Sequence, residues 1–311
     1  MKRRIFILVL ALLVAFSMMP ATGFAASKIV TKSMISYEKR DGEWLEVNKS
    51  LFYYNKKAQE TKQINRFYDN YDDGSRYTYK NDYMTAYDSK GRVKQTIAHR
   101  YGTGYFKDVY TYTTKNRVKK IKHYFKEKAK NSYKYDGYTI FYYSTKNKKN
   151  TEKNYNKNGK LEYKTITTLD SKLRPKTEKT YYYNGGKKEL GYTYSYTYYK
   201  DGTVKTIEYE SDDYEYEQYF NEKGRIKKEI IDSSDEDITT TYYYDGYGRL
   251  KKEVTKGTVE SDEGTEKVDS TKTYKYSGYY KKHKYPKKVL SYWNGEKYAF
   301  EKVVYTYKTI G

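Results

Sequence analysis

The sequence predicts an all-β protein, a long antiparallel meander of tandem β-hairpins forming one twisted or curled sheet. Three observations predict it. Tyrosine occurs 46 times in 311 residues, against 10 phenylalanines. Leu, Ile, Val and Phe together make up about one residue in seven after residue 25. A turn motif recurs along the chain at intervals of hairpin length. Aliphatic content this low would by itself point to disorder. Tyrosine changes the balance, because each ring buries a large apolar face while its hydroxyl stays wet. It is also a favoured strand residue.

The chain begins with Lys2, Arg3 and Arg4, then an unbroken apolar run from Ile5 to Phe16. Pro20 follows, and Gly23-Phe24-Ala25 places small residues where a signal peptidase reads them. Twelve apolar residues are short for a bilayer span, so residues 1–25 read as a cleaved signal peptide, with an uncleaved anchor as the alternative. Residues 26–311 are expected to form a single elongated repeat domain. The expected location is extracellular, free or held at the cell surface or wall by non-covalent contacts, with no transmembrane segment once the signal is removed. The chain has no cysteine. That excludes disulfides, a thiolate metal site and a cysteine nucleophile.

The repeat is an aromatic residue, three mostly polar residues, Gly or Asn, a base, then an aliphatic residue. Its clearest copies start at Tyr87 (Tyr87-Asp88-Ser89-Lys90-Gly91-Arg92-Val93), Phe220 and Tyr244 (Tyr244-Asp245-Gly246-Tyr247-Gly248-Arg249-Leu250). Copies at Tyr112, Tyr155 and Tyr198 follow with substitutions, and weaker ones start at Tyr54, Tyr143 and Leu169, with a longer one at Tyr276. Asp or Asn after the aromatic can accept backbone N–H bonds from the residues ahead. Gly or Asn three residues later can adopt the left-handed conformation that closes a type I turn with a bulge. The flanks alternate with period two: Tyr192, Tyr194, Tyr196 and Tyr198 share a face, with Thr193, Ser195 and Thr197 opposite. Setting the Tyr155 copy aside as an extra turn, the starts lie 22 to 33 residues apart, enough for two strands and two turns. Eight to ten hairpins are expected, with a twist that bends so long a sheet.

The string Tyr242-Tyr243-Tyr244-Asp245-Gly246-Tyr247-Gly248-Arg249-Leu250, like Tyr87-Asp88 to Val93, resembles the YD repeat of Rhs-type and teneurin-type proteins. The resemblance spans most of residues 50–290. It implies a spiralling β-sheet able to form a shell, in a secreted or surface protein. The proline-rich stretch that precedes a toxin domain in that family has no match here, so the resemblance implies fold and location without toxin delivery.

Charge is distributed in blocks. The net formal charge is +22, yet residues 101–160 carry sixteen bases and four acids, whereas residues 201–270 carry ten bases and twenty acids. Lysine with interleaved tyrosine suits anionic glycans or an anionic wall polymer, since ammonium groups neutralise phosphate or sulfate and aromatic faces stack on rings. Lys119, Lys120, Lys122, Tyr124, Lys148, Lys149 and Tyr155 are the candidate binding residues, and Trp44 and Trp293 are candidate stacking platforms near the two ends. The competing reading of the lysines is a solvated face that guards strand edges, and that of the tryptophans is capping of the terminal hairpins. Nucleic acid is not expected for an exported protein.

Other constellations point away from chemistry. His99, His123 and His283 lack metal-ligand spacing and fit surface or cross-strand packing. The cluster from Asp232 to Asp237 lacks the ordered calcium loop. Glu208, Glu210, Asp212, Asp213, Glu215 and Glu217 could supply a carboxylate pair for glycoside hydrolysis, but their density fits an acidic strand and turn. No catalytic residue, metal or cofactor is expected. The function expected is non-enzymatic binding or scaffolding at the cell surface or wall, with polysaccharide or an anionic polymer as partner. A secreted glycan hydrolase and a purely structural spacer are the alternatives.

Overall fold

The computed structural model describes residues 28–40, 42–70, 75–261, 264–296 and 299–310. The signal peptide reading lies outside the described residues. Among those described, every regular element is a strand. In chain order these are β1 (Lys28–Arg40), β2 (Glu43–Tyr54), β3 (Glu60–Asn70), β4 (Arg76–Tyr87), β5 (Val93–Arg100), β6 (Gly104–Tyr112), β7 (Val118–Lys126), β8 (Lys134–Ser144), β9 (Lys149–Asn156) and β10 (Leu161–Leu169). There follow β11 (Pro175–Asn184), β12 (Lys187–Tyr198), β13 (Val204–Ser211), β14 (Tyr214–Phe220), β15 (Ile226–Ser233), β16 (Glu236–Tyr244), β17 (Leu250–Ser261), β18 (Gly264–Tyr280), β19 (Lys282–Trp293) and β20 (Glu301–Ile310).

Each strand pairs antiparallel with its neighbours in sequence, forming one twenty-stranded sheet. The sheet also closes. β1 pairs with β20 from Lys28↔Ile310 to Glu38↔Glu301. The curled sheet expected from the sequence is therefore a barrel, which removes both open edges. The joint on the other side of β20 is short, running only from Lys288↔Val304 to Ser291↔Glu301.

The repeat motif explains the turns. In the copy at Tyr87, Asp88 N donates to Arg92 O and Gly91 N to Asp88 O, and the Asp88 carboxylate accepts from Arg92 N at 2.9 Å. The same backbone pair recurs at Asn55, Thr113, Asn156, Asp170, Tyr199, Asn221 and Asp245. The fifth motif position has positive φ throughout: Ala58, Gly91, Asn116, Gly159, Leu173, Gly202, Gly224 and Gly248. This is the type I turn with a left-handed closing residue that the spacing predicts. Two copies are corrected. At the β8–β9 turn the bond runs from Lys148 N to Thr145 O, and Lys148 takes the positive φ, so the frame starts at Ser144 and not at Tyr143. Tyr276 lies inside β18, and the turn comes later, at Lys281.

Successive motifs latch together. The leading tyrosine of one copy donates its hydroxyl to the last carbonyl of the copy before: Tyr87 to Glu60, Tyr112 to Val93, Tyr198 to Pro175 and Tyr244 to Ile226; Tyr143, one residue ahead of its turn, and Tyr276, within β18, do the same to Val118 and Leu250. The motif arginine lies over the next copy's tyrosine ring, as in Arg92 on Tyr112 at 4.4 Å and Arg174 on Tyr198 at 4.0 Å. Because the chain is a meander, the turns that leave even-numbered strands form one rim, and those that leave odd-numbered strands form the other. The copies at residues 54, 87, 112, 144, 169, 198, 220 and 244 fall on the first rim. The copy at Tyr155, read from sequence as an extra turn, falls on the second.

Among the described residues no aliphatic cluster forms a centre for the barrel. The buried apolar residues Ile64, Ile207, Phe220, Val289 and Ala299 are scattered round the sheet. The crowded face carries Ser50, Thr139, Thr180, Gln218 and Ser291, each less than 5% exposed. Short side chains are covered this fully only where neighbours converge, so this is the inner, concave face. Tyr192, Tyr194 and Tyr196 share it, as their alternation implies, because Thr180 pairs with Tyr192. Thr193, Ser195 and Thr197 face outward.

Candidate functional site

Ladder registers place the sequence-predicted residues. Lys120, Lys122 and Tyr124 alternate with the inner residues Ile121 and His123, so they point outward from β7. Lys122 pairs with Tyr138, which pairs with Tyr155. Lys120 pairs with Ile140, Ile140 with Lys153, and Lys153 with Lys164. Lys107 joins from β6, opposite Tyr124. The outer wall of β6–β10 thus carries a lattice of lysines and tyrosines from five neighbouring strands. The ammonium groups lie over the rings: Lys120 over Tyr138 at 4.0 Å, Lys107 over Tyr124 at 4.6 Å, and Lys153 over Tyr142 at 5.5 Å. Among the described residues, none of Lys107, Lys120, Lys122, Lys153 and Lys164 has a carboxylate ion-pair partner. Burial, then the charges of Lys153, Lys149 and Lys188, hold the Lys164 ammonium below its ordinary pKa.

The other predicted residues lie elsewhere. Lys119 occupies the bulge where the β6–β7 register shifts, beside the first rim. Lys148 and Lys149 belong to the β8–β9 turn on that rim. Trp44 faces outward on β2, 4.7 Å beneath the Lys302 ammonium. Trp293 faces inward, stacked on Phe300 at 5.1 Å, where Lys272 reaches Glu301 at 2.8 Å. Both tryptophans flank the closing seam, so they do not extend the lattice. Lys107, Lys153, Lys164, Tyr138 and Tyr142 were missed from sequence. Their signal is the ladder register, which brings residues as far as 57 positions apart onto one patch.

The inner wall is polar and acidic. Glu229 accepts from Tyr216, from Gln218 Nε2 at 2.7 Å and from Tyr242. Tyr163 donates to Glu152 at 3.3 Å, and Thr167 to Glu178 at 3.3 Å. Burial raises the carboxyl pKa of Glu60, Glu152, Glu178 and Glu253. It also pushes the phenols of Tyr194 and Tyr276 up to about 12. His123 holds Asp108 at 2.8 Å and Thr139 at 2.9 Å, a cross-strand packing role. His99 stacks on Tyr105 at 4.2 Å. The side chain of His283 lies outside the described residues.

The carboxylates considered for hydrolysis stand on the outer wall or a turn. Glu208 pairs with Glu217 and Glu210 with Glu215, while Asp212 and Asp213 form the β13–β14 turn. This arrangement is an acidic patch on a convex face. In the Asp232–Asp237 segment, Ser233 Oγ accepts from Asp235 N and Glu236 N, which makes a hairpin turn. Among the described residues no group of three His, Cys, Asp or Glu is placed to hold a metal ion. No helix among them is long and apolar enough to cross a membrane. Among the described residues the outer wall does not form the apolar band, about 25 Å tall, of a lipid-facing barrel. Lys120, Lys153, Lys164, Glu208, Glu217 and Lys228 occupy outward mid-strand positions instead.

No family model matches the chain, and no curated protein matches it. Among solved structures, a porin-like protein from Bacteroides uniformis is similar at 11% identity, over 89% of this chain and 98% of that one, with a TM-score of 0.39. A likeness that slight bears on neither function nor location.

Proposed function

We propose that this chain is an exported, non-enzymatic binding protein of the cell surface or wall, which takes an anionic polymer across the outer face of β6–β10. One observation carries the reading: Lys120, Lys153 and Lys164 lie in one row across the strands without carboxylate partners. Like charges directly opposite one another destabilise a sheet. A run of phosphate, sulfate or uronate groups along the row relieves that repulsion, and the flanking tyrosine faces add stacking surface for sugar rings. Membership of the YD-repeat proteins is part of the same proposal. The Asp88–Arg92 and Asp245–Arg249 pairs give a physical reason for those copies to keep both residues.

The test is binding of residues 26–311 to polyphosphate and to a polyuronate by calorimetry over a range of salt. The triple variant K120E/K153E/K164E should weaken binding about tenfold or more and flatten its salt dependence. The outer acidic variant E208K/E215K/E217K should bind at least as well as the parent. Unchanged affinity in the lysine variant overturns the proposal. Accumulation of new reducing ends from a glycan substrate would support the hydrolase alternative instead.

A further inference from the structure

We propose that the rim formed by the turns leaving even-numbered strands is a face-on docking surface for an anionic lipid bilayer. Six of its turns each present an exposed lysine at or near the tip: Lys57, Lys90, Lys115, Lys172, Lys200 and Lys223. Consecutive turns on this rim are two strands apart, about 10 Å along a sheet. Most of the acids in these turns are engaged elsewhere: Asp201 accepts from Thr203, while Glu222 stands exposed beside Lys223. Asp88, Asp170 and Asp245 are each held by the arginine of their own turn, at 2.6–2.7 Å. Those arginines in turn fold back onto the tyrosine of the next copy.

The same rim exposes two apolar tips. Leu173 is 46% exposed, although its φ of 61° lies in the left-handed region where Gly91, Gly202, Gly224 and Gly248 stand in other copies. A branched side chain strains the backbone there and is only about half covered in return, so the barrel itself gives little reason for leucine. Tyr247, at the tip of another turn, is 59% exposed. A ring of lysines with leucine and tyrosine at the same level matches a charged interface with an apolar interior just below it. A solvated polymer offers nothing for Leu173 to enter. The opposite rim is mixed in charge: Glu127, Asp212, Asp213, Asp235 and Glu296 are interspersed with Lys128, Lys130, Lys157, Lys160 and Lys187 on its exposed turns, where Tyr101 is also exposed.

The test is sedimentation of residues 26–311 with phosphatidylcholine vesicles, with and without phosphatidylglycerol. The parent should sediment only with the anionic vesicles. The variant K90E/K115E/K172E/K223E should lose about a hundredfold in partitioning, since each lysine contributes separately near the surface. L173G should lose several-fold, with thermal stability equal to or above the parent's, which separates a lipid contact from a folding defect. K120E/K153E/K164E, on the side wall, should partition as the parent does. Because the chain has no cysteine, a polarity-sensitive dye can be placed alone at Y247C or at S234C on the opposite rim. Blue-shifted emission is expected from Y247C and not from S234C. Equal shifts at the two sites, retention of binding by the rim variant, or a rim that captures soluble polyphosphate while the parent ignores vesicles would each overturn the proposal.

Discussion

The arcs β6–β10 and β13–β16 are made from the same unit and differ in one respect. Both use the turn in which Asp, Asn or Thr is followed three residues later by a left-handed residue. Both line the inner wall with hydroxyl, amide and carboxyl groups: Asp108, His123, Thr139 and Asn154 in the first, Gln218, Glu229 and Thr240 in the second. Outside, the first arc sets lysine against lysine, Lys153 beside Lys164. The second sets acid against acid, Glu210 beside Glu215, Glu215 beside Asp232, and Asp232 beside Asp237. The fold therefore resides in the turns and the inner wall. Outward positions contribute little to it, which leaves them free to carry opposite charges.

The largest predicted effect breaks both arcs together. The inner phenols ionise near 10 in the unfolded chain, while burial raises Tyr163 in the first arc and Tyr216 in the second and holds Tyr194 and Tyr276, elsewhere on the same wall, at about 12. A group whose folded pKa is raised stabilises the fold fully below its unfolded value, and that stability is lost as pH rises through the folded value. Sheet circular dichroism should therefore collapse between pH 10 and 12, in step with tyrosinate absorbance near 295 nm. Gradual ionisation without loss of the sheet signal would contradict the assignment of the inner face.

Next come two glycines that test whether the scaffold is equivalent in both regions. A Cβ on Gly137 (φ 140°) would meet the Tyr155 carbonyl, and one on Gly257 (φ 152°), in the strand adjoining β16, would meet the Asp237 carbonyl. G137A and G257A should each cost on the order of 2–4 kcal/mol by urea denaturation. A large loss at only one would show that the arcs are held differently. Smaller effects come from relieving like charges. E215K in the acidic arc and K153E in the basic arc should each stabilise by roughly 0.5–1 kcal/mol at low ionic strength, a gain that salt should erase. Finally, nitration with peptide mapping should modify outer rings before inner ones: Tyr142 and Tyr243, about half exposed, before Tyr196 and Tyr242.

Much of this architecture can be read from residues. The Tyr87 and Tyr244 copies specify turn type, turn position and the pairing of flanking strands, because Asp, Gly and Arg each make a local bond. Alternation in Tyr192–Tyr198 separates two faces. It does not say which face is concave, since both are polar, and so the acidic lining around Glu229 passes unnoticed. Closure depends on the pairing of β1 with β20, where Ser33 meets Thr306, which no local pattern announces. Likewise the lattice residues Lys153 and Lys164 become neighbours only through register, whereas the net charge of their segment is visible at once. Leu173 reads in sequence as a weak motif copy, and its position at a rim tip gives it significance.

The seam between β1 and β20 has a temporal consequence. Hairpins can latch onto their predecessors as the polypeptide lengthens, yet the first ribbon made must wait for the last before its outer backbone groups find partners. Until then the growing sheet offers a bare edge for another molecule to occupy. Folding of this protein is thus a race between completing the ring and trapping by a stranger, and a chain without β20 would lose that race permanently.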